Sequence, residues 1–203
     1  MFSRTSDRVK IISAAETDFP AIAELAAVIW RACYPGIISH AQIDYMLARM
    51  YALDTMREEI QSQGIRYKLL FVGGKPAGFA SYGPTEETAG FDPISSSTVG
   101  TPRCGVRTAP RAVPTFKLHK LYLLPELQGR GLGSRLLQHC EQEVRAAGAR
   151  RLILSVNKRN AKAIAVYQRN GFVIAESVVT DIGGGFVMDD YIMAKVFRHT
   201  SSP

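Results

Sequence analysis

Apolar and polar positions divide the chain into two regular stretches on either side of an irregular one. Val9–Ser13 reads as a first strand, and Thr17-Asp18-Phe19-Pro20 is a helix-start signal in which Thr17 or Asp18 caps a helix over residues 21–31. Its apolar positions Ile22, Leu25, Ala26 and Ile29 recur at three- and four-residue spacing and so line one face. Tyr34-Pro35-Gly36 breaks this helix. Ser39 caps a second one to about residue 51, with Ile43, Met46, Leu47 and Met50 on one face, and a third runs over residues 55–63 until Gly64. Residues 69–72 and 76–82 flank Gly73-Gly74 and predict a β-hairpin, because paired glycines supply the positive φ that a tight turn requires.

Residues 83–114 break the pattern. They are rich in Pro, Ser, Thr and Gly and show no sustained period, and loops this long are uncommon inside compact domains. A surface excursion or disorder is the plain reading, and an active-site flap or partner contact is the other. The segment has too few large apolar residues for a core of its own. The expectation is therefore one domain over residues 1–203 with an insertion at about 83–115.

Regularity returns after Pro114. If the strand alternates strictly, Phe116, Leu118, Lys120 and Tyr122 share one face and Lys117, His119, Leu121 and Leu123 the other. The strand leads into Gln128-Gly129-Arg130-Gly131-Leu132-Gly133-Ser134, and a helix follows to about residue 147. Alternating glycines remove the Cβ atoms that would hold a ligand off the backbone, so N–H groups can converge on an anion. The helix that starts there adds its unpaired first-turn donors and the positive end of its dipole.

Two common phosphate-binding signatures do not fit. A P-loop needs a lysine after the last glycine, and none follows. A dinucleotide fingerprint needs a third glycine where Ser134 stands, and an acidic residue after the next strand, where Asn157, Lys158 and Arg159 stand instead. What fits is Gln-x-x-Gly-x-Gly, read as Gln128, Gly131 and Gly133.

With that turn in place the chain resembles the GNAT superfamily of acyl-CoA-dependent N-acyltransferases. An ordered set over roughly residues 116–195 carries the resemblance: the strand to Leu123, the glycine turn, a helix, a strand over 152–156, Asn157 and Asn160, a helix Ala161–Arg169 with Tyr167, then Asn170-Gly171-Phe172. The closing run Asp189 to Lys195 looks like the last strand of polyamine-acetylating and related small-amine members. The resemblance implies an α/β (α+β) fold with a mixed, mostly antiparallel central sheet flanked by helices. It also implies acetyl-CoA as co-substrate, with Leu121, Tyr122 and Leu123 offering main-chain contacts to pantetheine. Gln128, Gly129, Arg130, Gly131, Leu132, Gly133 and Ser134 would then hold the pyrophosphate, and Asn160, which also stands where a helix cap is expected, would add a further contact.

The same resemblance points to Tyr167 as the acid. Attack of an amine on a thioester makes an oxyanion whose collapse expels a thiolate, and a nearby phenol can protonate it. Helix packing against Ile164 is the alternative for Tyr167. For the base, His119 is the candidate, since imidazole titrates near neutrality, although a lone histidine on an apolar strand is more often structural. Glu126, Asp189, Asp190 and Tyr191 stand near the same end, where carboxylates would suit a cationic acceptor and a solvated pair is the plainer reading. No metal is needed, because the donor is already an activated thioester.

Composition adds limits. The formal net charge of +7 comes from scattered Lys and Arg without interleaved aromatics, which suits a surface that attracts an anionic co-substrate better than a nucleic-acid groove. Cys33, Cys104 and Cys140 have no metal-ligand spacing and no evident disulfide framework. No long apolar run or signal-like segment is present, so a cytoplasmic protein without a membrane partner is expected. The acceptor is expected to be a small-molecule amine rather than a protein, and since dimers are common in the family the resemblance leaves a homodimer open. The rivals are a nicotinamide-dependent oxidoreductase and a CoA-binding regulatory module without turnover.

Overall fold

The computed structural model describes residues 8–86 and 113–197. Most of the expected insertion, residues 87–112, lies outside the described residues, as does Cys104. The elements run β1 (Val9–Ser13), α1 (Phe19–Cys33), α2 (His40–Met50), α3 (Leu53–Gln61), β2 (Arg66–Val72), β3 (Lys75–Thr85), β4 (Thr115–Leu123), α4 (Leu132–Ala146), β5 (Arg151–Asn157), α5 (Ala161–Arg169), β6 (Val173–Gly183) and β7 (Phe186–Val196). The seven strands form one sheet in the order β1-β2-β3-β4-β5-β7-β6. Only β4 and β5 pair in parallel. This is the mixed, mostly antiparallel sheet with flanking helices that the family resemblance implies.

Local chemistry sets most boundaries. Ser39 Oγ accepts from the Gln42 N–H at 3.1 Å and caps α2, as expected. Gly73 and Gly74 take φ of +59° and +80° in the β2–β3 turn, a region closed to most side chains. The start of the irregular stretch is the first departure: β3 continues through Gly83 and Pro84 to Thr85, paired with the beginning of β4. The second is β6, which has no counterpart among the sequence-predicted elements. It is an edge strand whose residues are mostly exposed, so no apolar face announces it.

Two main cores lie on opposite faces of the sheet. On one, α4 buries Leu136, Leu137, Cys140 and Val144 against Leu118, Leu123, Leu152 and Leu154. Each such side chain contributes on the order of 2 kcal/mol. On the other, α1 and its neighbours pack Phe19, Ile22, Ile29 and Trp30 against Tyr67, Leu69 and Phe79. A polar network is set into this second core. The Lys120 ammonium, 1% exposed, is 2.7 Å from both Glu59 carboxylate oxygens, and the Tyr67 hydroxyl also donates to Glu59. Burial lowers the Lys120 pKa, and the Glu59 carboxylate beside it opposes that shift.

Candidate active site

The sheet opens in its middle. β4 and β5 pair only from Thr115 with Arg151 to Leu118 with Leu154. Beyond that point β4 continues to Leu123 along β3, and β5 continues to Asn157 along β7. A wedge separates the two strands, and from His119 onward the β5-facing edge of β4 has no strand partner. The cause is one extra residue. Ser81 pairs with Lys120 but Tyr82 pairs with Leu118, so His119 is a β-bulge, which bends its strand and raises the local twist.

The bulge also corrects the strict alternation expected of residues 116–123. Phe116 and Leu118 pack in the α4-side core together with Leu121 and Leu123, while Lys120 reaches Glu59 of α3 and Tyr122 joins the α1-side core. Leu118 and Lys120 therefore lie on opposite faces. His119 has its Nε2 buried without a hydrogen-bond partner among the described residues. Burial, with Lys117 and Lys120 close by, pushes its pKa down to about 4.

One wall of the wedge is main chain. A single 3-10 turn, Pro125–Leu127, reverses β4 into the glycine run. Gly129 and Gly131 both take φ of +77°, and a Cβ on either would meet nothing within 4 Å. They hold a backbone shape facing open space. Gly133 has a different use: a Cβ there would come to 3.4 Å from Leu123 Cδ1, so its smallness seats the first turn of α4 on the end of β4. Among the described residues no partner is taken by the N–H groups of Gly129 through Ser134, and the first bond in the helix ladder is Arg135 N–H to Gly131 O at 3.0 Å. Consecutive free donors at a helix N-terminus suit an anion such as a pyrophosphate. Arg130 is exposed beside them. The Gln128 amide points back instead, donating to Leu123 O at 3.3 Å and approaching Cys33 Sγ at 3.4 Å.

α5 forms the next wall. Asn160 Oδ1 accepts from the Ala163 N–H at 3.2 Å, which is the cap expected of it, and Asn157 Oδ1 accepts from the Arg159 N–H at 3.0 Å. Asn170 Nδ2 bridges Ser134 Oγ at 3.0 Å and Val166 O at 2.8 Å, tying the end of α5 to the start of α4. This tie was not assigned from sequence. Tyr167 stacks edge-on against Phe172, with ring centroids 5.9 Å apart, and its hydroxyl has no hydrogen-bond partner among the described residues. Burial raises its pKa, so the phenol stays protonated.

The opposite side is made from distant segments. Trp30 and Tyr34 at the end of α1 stack at 4.5 Å, and Tyr34 Oη lies 3.3 Å from Tyr122 Oη. Burial pushes the Tyr34 phenol up to about 12, the Tyr122 hydrogen bond opposes that shift, and the Asp190 charge adds to it. α2 clasps the β6–β7 hairpin through Gln42 Nε2 to Val187 O at 2.8 Å and Tyr45 Oη to Ile182 O at 2.7 Å. Arg159 Nη1 donates to Ile37 O at 3.1 Å, joining the β5–α5 connection to the α1–α2 connection. The two aspartates of β7 divide: Asp189 is exposed and paired with Lys158, whereas Asp190 is 7% exposed. Neither Tyr34 nor the burial of Asp190 was singled out by the sequence pattern.

A split sheet beside a helix N-terminus with unpaired main-chain donors marks the candidate site of this α/β fold. Residues 24–172 match the model of the acetyltransferase (GNAT) family, and the chain belongs to that family. Its acyl donor is acetyl-CoA. Spermidine N(1)-acetyltransferase of Thermoplasma acidophilum is 26% identical over 172 residues, which cover 85% of this chain and 90% of that protein. The PaiA N-acetyltransferase of Thermoplasma acidophilum, solved in complex with coenzyme A, has the same fold, with a TM-score of 0.68 over 94% of this chain and 99% of that chain at 22% identity. YncA of Salmonella typhimurium, solved with its cofactor acetyl-CoA, matches with a TM-score of 0.59 over 97% of this chain and 98% of that chain at 20% identity. Among the described residues no group of three or more His, Cys, Asp or Glu could hold a metal ion, and no helix is long and apolar enough to cross a membrane.

Proposed function

We propose that this protein moves the acetyl group of acetyl-CoA directly to the primary amine of a small cationic acceptor, in one ternary complex. The observation that carries this reading is the run of unused N–H donors from Gly129 to Ser134, set next to the β4–β5 wedge and the free hydroxyl of Tyr167. The donors would hold the pyrophosphate, with Arg130 adding charge, and Leu121 to Leu123 would offer their free strand edge to the pantetheine. Asn160 would add a contact beside its capping role. Acetyl-CoA supplies an activated thioester.

On this reading the amine attacks the thioester carbonyl carbon as the C–N bond forms. Collapse of the oxyanion breaks the C–S bond, and Tyr167 gives its proton to the departing thiolate. The strand edge and the α4 N-terminus hold the donor still while this happens. His119 is too poor a base to be charged near neutrality, and its free Nε2 would serve as a neutral hydrogen-bond acceptor. A covalent acyl-enzyme has little support: Cys140 is buried under α4 with its thiol pushed up to about 12.

The wall opposite the cradle supports a cationic amine. It combines tyrosine rings with the buried Asp190 carboxylate, and the spermidine-acetylating relative aligns over most of the chain. Thiol release from acetyl-CoA, measured with polyamines, amino acids and peptides bearing free N-termini, tests the reading. Turnover with polyamines above the other classes is expected. Binding of acetyl-CoA without thiol release across the panel would leave the non-catalytic module instead, and thermal protection by NAD rather than acetyl-CoA would favour the oxidoreductase.

A further inference from the structure

We propose that Asp190 is the acceptor-side catalytic carboxylate: its free Oδ1 takes the ammonium of the incoming amine and removes one proton from it before attack. This rests on the acetyl-transfer reading above and names the residue that would make that reading work for a charged amine.

Asp190 is 7% exposed, and its buried Oδ1 has no hydrogen-bond partner among the described residues. A desolvated carboxylate without a partner is costly, and native chains normally pair it or bring it to the surface. Its neighbour Asp189 does both, since it is exposed and bound to Lys158. Among the described residues Asp190 caps no helix and forms no ion pair, although Lys117 and Lys158 act on it from a distance.

Its position fits an acceptor. Asp190 pairs with Asn157 at the end of β5, beyond the level at which β4 has left the sheet. Its charge acts on the Tyr34 phenol, Tyr34 touches Tyr122, and Tyr34 in turn acts on the Tyr167 phenol. Tyr34 thus stands within electrostatic reach of both the carboxylate and the proposed acid, and aromatic faces stabilise ammonium groups.

Among the described residues Asp189 on β7, Lys117 on β4 and Lys158 after β5 are the titratable groups that act on Asp190, and its own charge acts on Tyr34 at the C-cap of α1. Desolvation dominates, Asp189 reinforces it, the two lysines oppose it, and the carboxyl is pushed up to about 6. It is ionised at neutral pH yet more basic than an exposed aspartate. His119 is neutral near pH 7, whereas the Asp190 carboxylate is an anion that can draw an ammonium.

The protons balance. The alkylammonium gives its first proton to Asp190, which returns it to solvent. The neutral amine attacks, the C–S bond breaks with its electron pair on sulfur, and Tyr167 protonates the thiolate. The second nitrogen proton restores the Tyr167 phenol. The products are the N-acetyl amine, the free thiol and one released proton.

Asp190→Asn keeps the shape and removes the charge. With acetyl-CoA and spermidine or putrescine as probe amines, kcat/KM for the amine should fall about 100-fold or more, the KM for acetyl-CoA should stay within about twofold, and the acid limb of the pH profile near pH 6 should vanish. Melting provides the folding control. Because the native carboxyl holds its proton to higher pH than the unfolded one, its cost is absent below about pH 4 and complete above about pH 6. Asp190→Asn should therefore melt higher than the wild type at pH 8 and no higher at pH 4. If the asparagine variant fails to fold, Asp190→Ser is carried through the same measurements. Wild-type turnover that either folded variant matches, with the acid limb intact, overturns the role of Asp190 alone. A wild type that releases no thiol with any amine overturns the acetyl-transfer reading and this proposal with it.

Discussion

The two walls of the wedge are built by different means. The donor wall, from Leu121 through the glycine run to Asn160, is contiguous in sequence and offers main-chain groups. The acceptor wall brings together Trp30 and Tyr34 from α1, Tyr122 from β4 and Asp190 from β7, and offers side chains. A main-chain site depends on backbone shape and so on glycine placement and helix starts. A side-chain site depends on which distant elements meet. Substitutions on the first wall should thus change handling of acetyl-CoA, and those on the second handling of the amine.

The largest expected effect lies where the walls meet. Tyr167→Phe should lower the rate of the chemical step about 100-fold or more while leaving acetyl-CoA affinity nearly intact. Single-turnover thiol release beside a calorimetric binding measurement separates the two quantities, and an unchanged rate would remove Tyr167 from the acid role. Next comes the buried ion pair in the core on the α1 side. Glu59→Ala leaves the Lys120 ammonium buried without its carboxylate and should cost about 3 kcal/mol in stability, read by denaturant or thermal unfolding. Loss of less than about 1 kcal/mol would mean that water or another group takes over the Lys120 charge.

Gly131→Val is the matching break on the donor wall. A β-branched residue at φ +77° is strained by about 1–3 kcal/mol, and its side chain would stand where the anion is expected. Acetyl-CoA affinity should fall about tenfold or more, with the KM for the amine little changed. The smallest effect belongs to His119. Its folded pKa lies below its unfolded value of about 6.5, so the unfolded state binds the extra proton and stability is lost as pH falls from 6.5 towards 4. In His119→Gln that loss should flatten by about 1–2 kcal/mol in unfolding measured at pH 7.5 and pH 4.5. An identical pH dependence would show that His119 is already solvated.

Much of the donor wall could be read residue by residue because local chemistry dictates it. Asn160 caps α5 whatever lies beyond it, and Gly129 and Gly131 adopt a shape that few other residues tolerate. Even there some side chains did not match their motif. Gln128 leads the signature yet turns back to Leu123 O, and Gly133 serves packing, not conformation. The bulge at His119 was invisible, since strict alternation and a one-residue slip look alike until the partner strand fixes the register. β6 was missed for a related reason. An edge strand held by β7 and clasped by α2 needs no apolar face of its own.

The amino-acid sequence by itself determined the order of elements on the donor side, which rests on glycine conformations, helix caps and hydrophobic periods that act within a few residues, and through that order it carried the resemblance that implied the family and the acyl donor. Tertiary structure alone decided that Asp190 is buried while Asp189 is not, and that Tyr34 meets Tyr122. Burial and encounter depend on which segments the sheet brings together, a long-range outcome that no local pattern of residues carries.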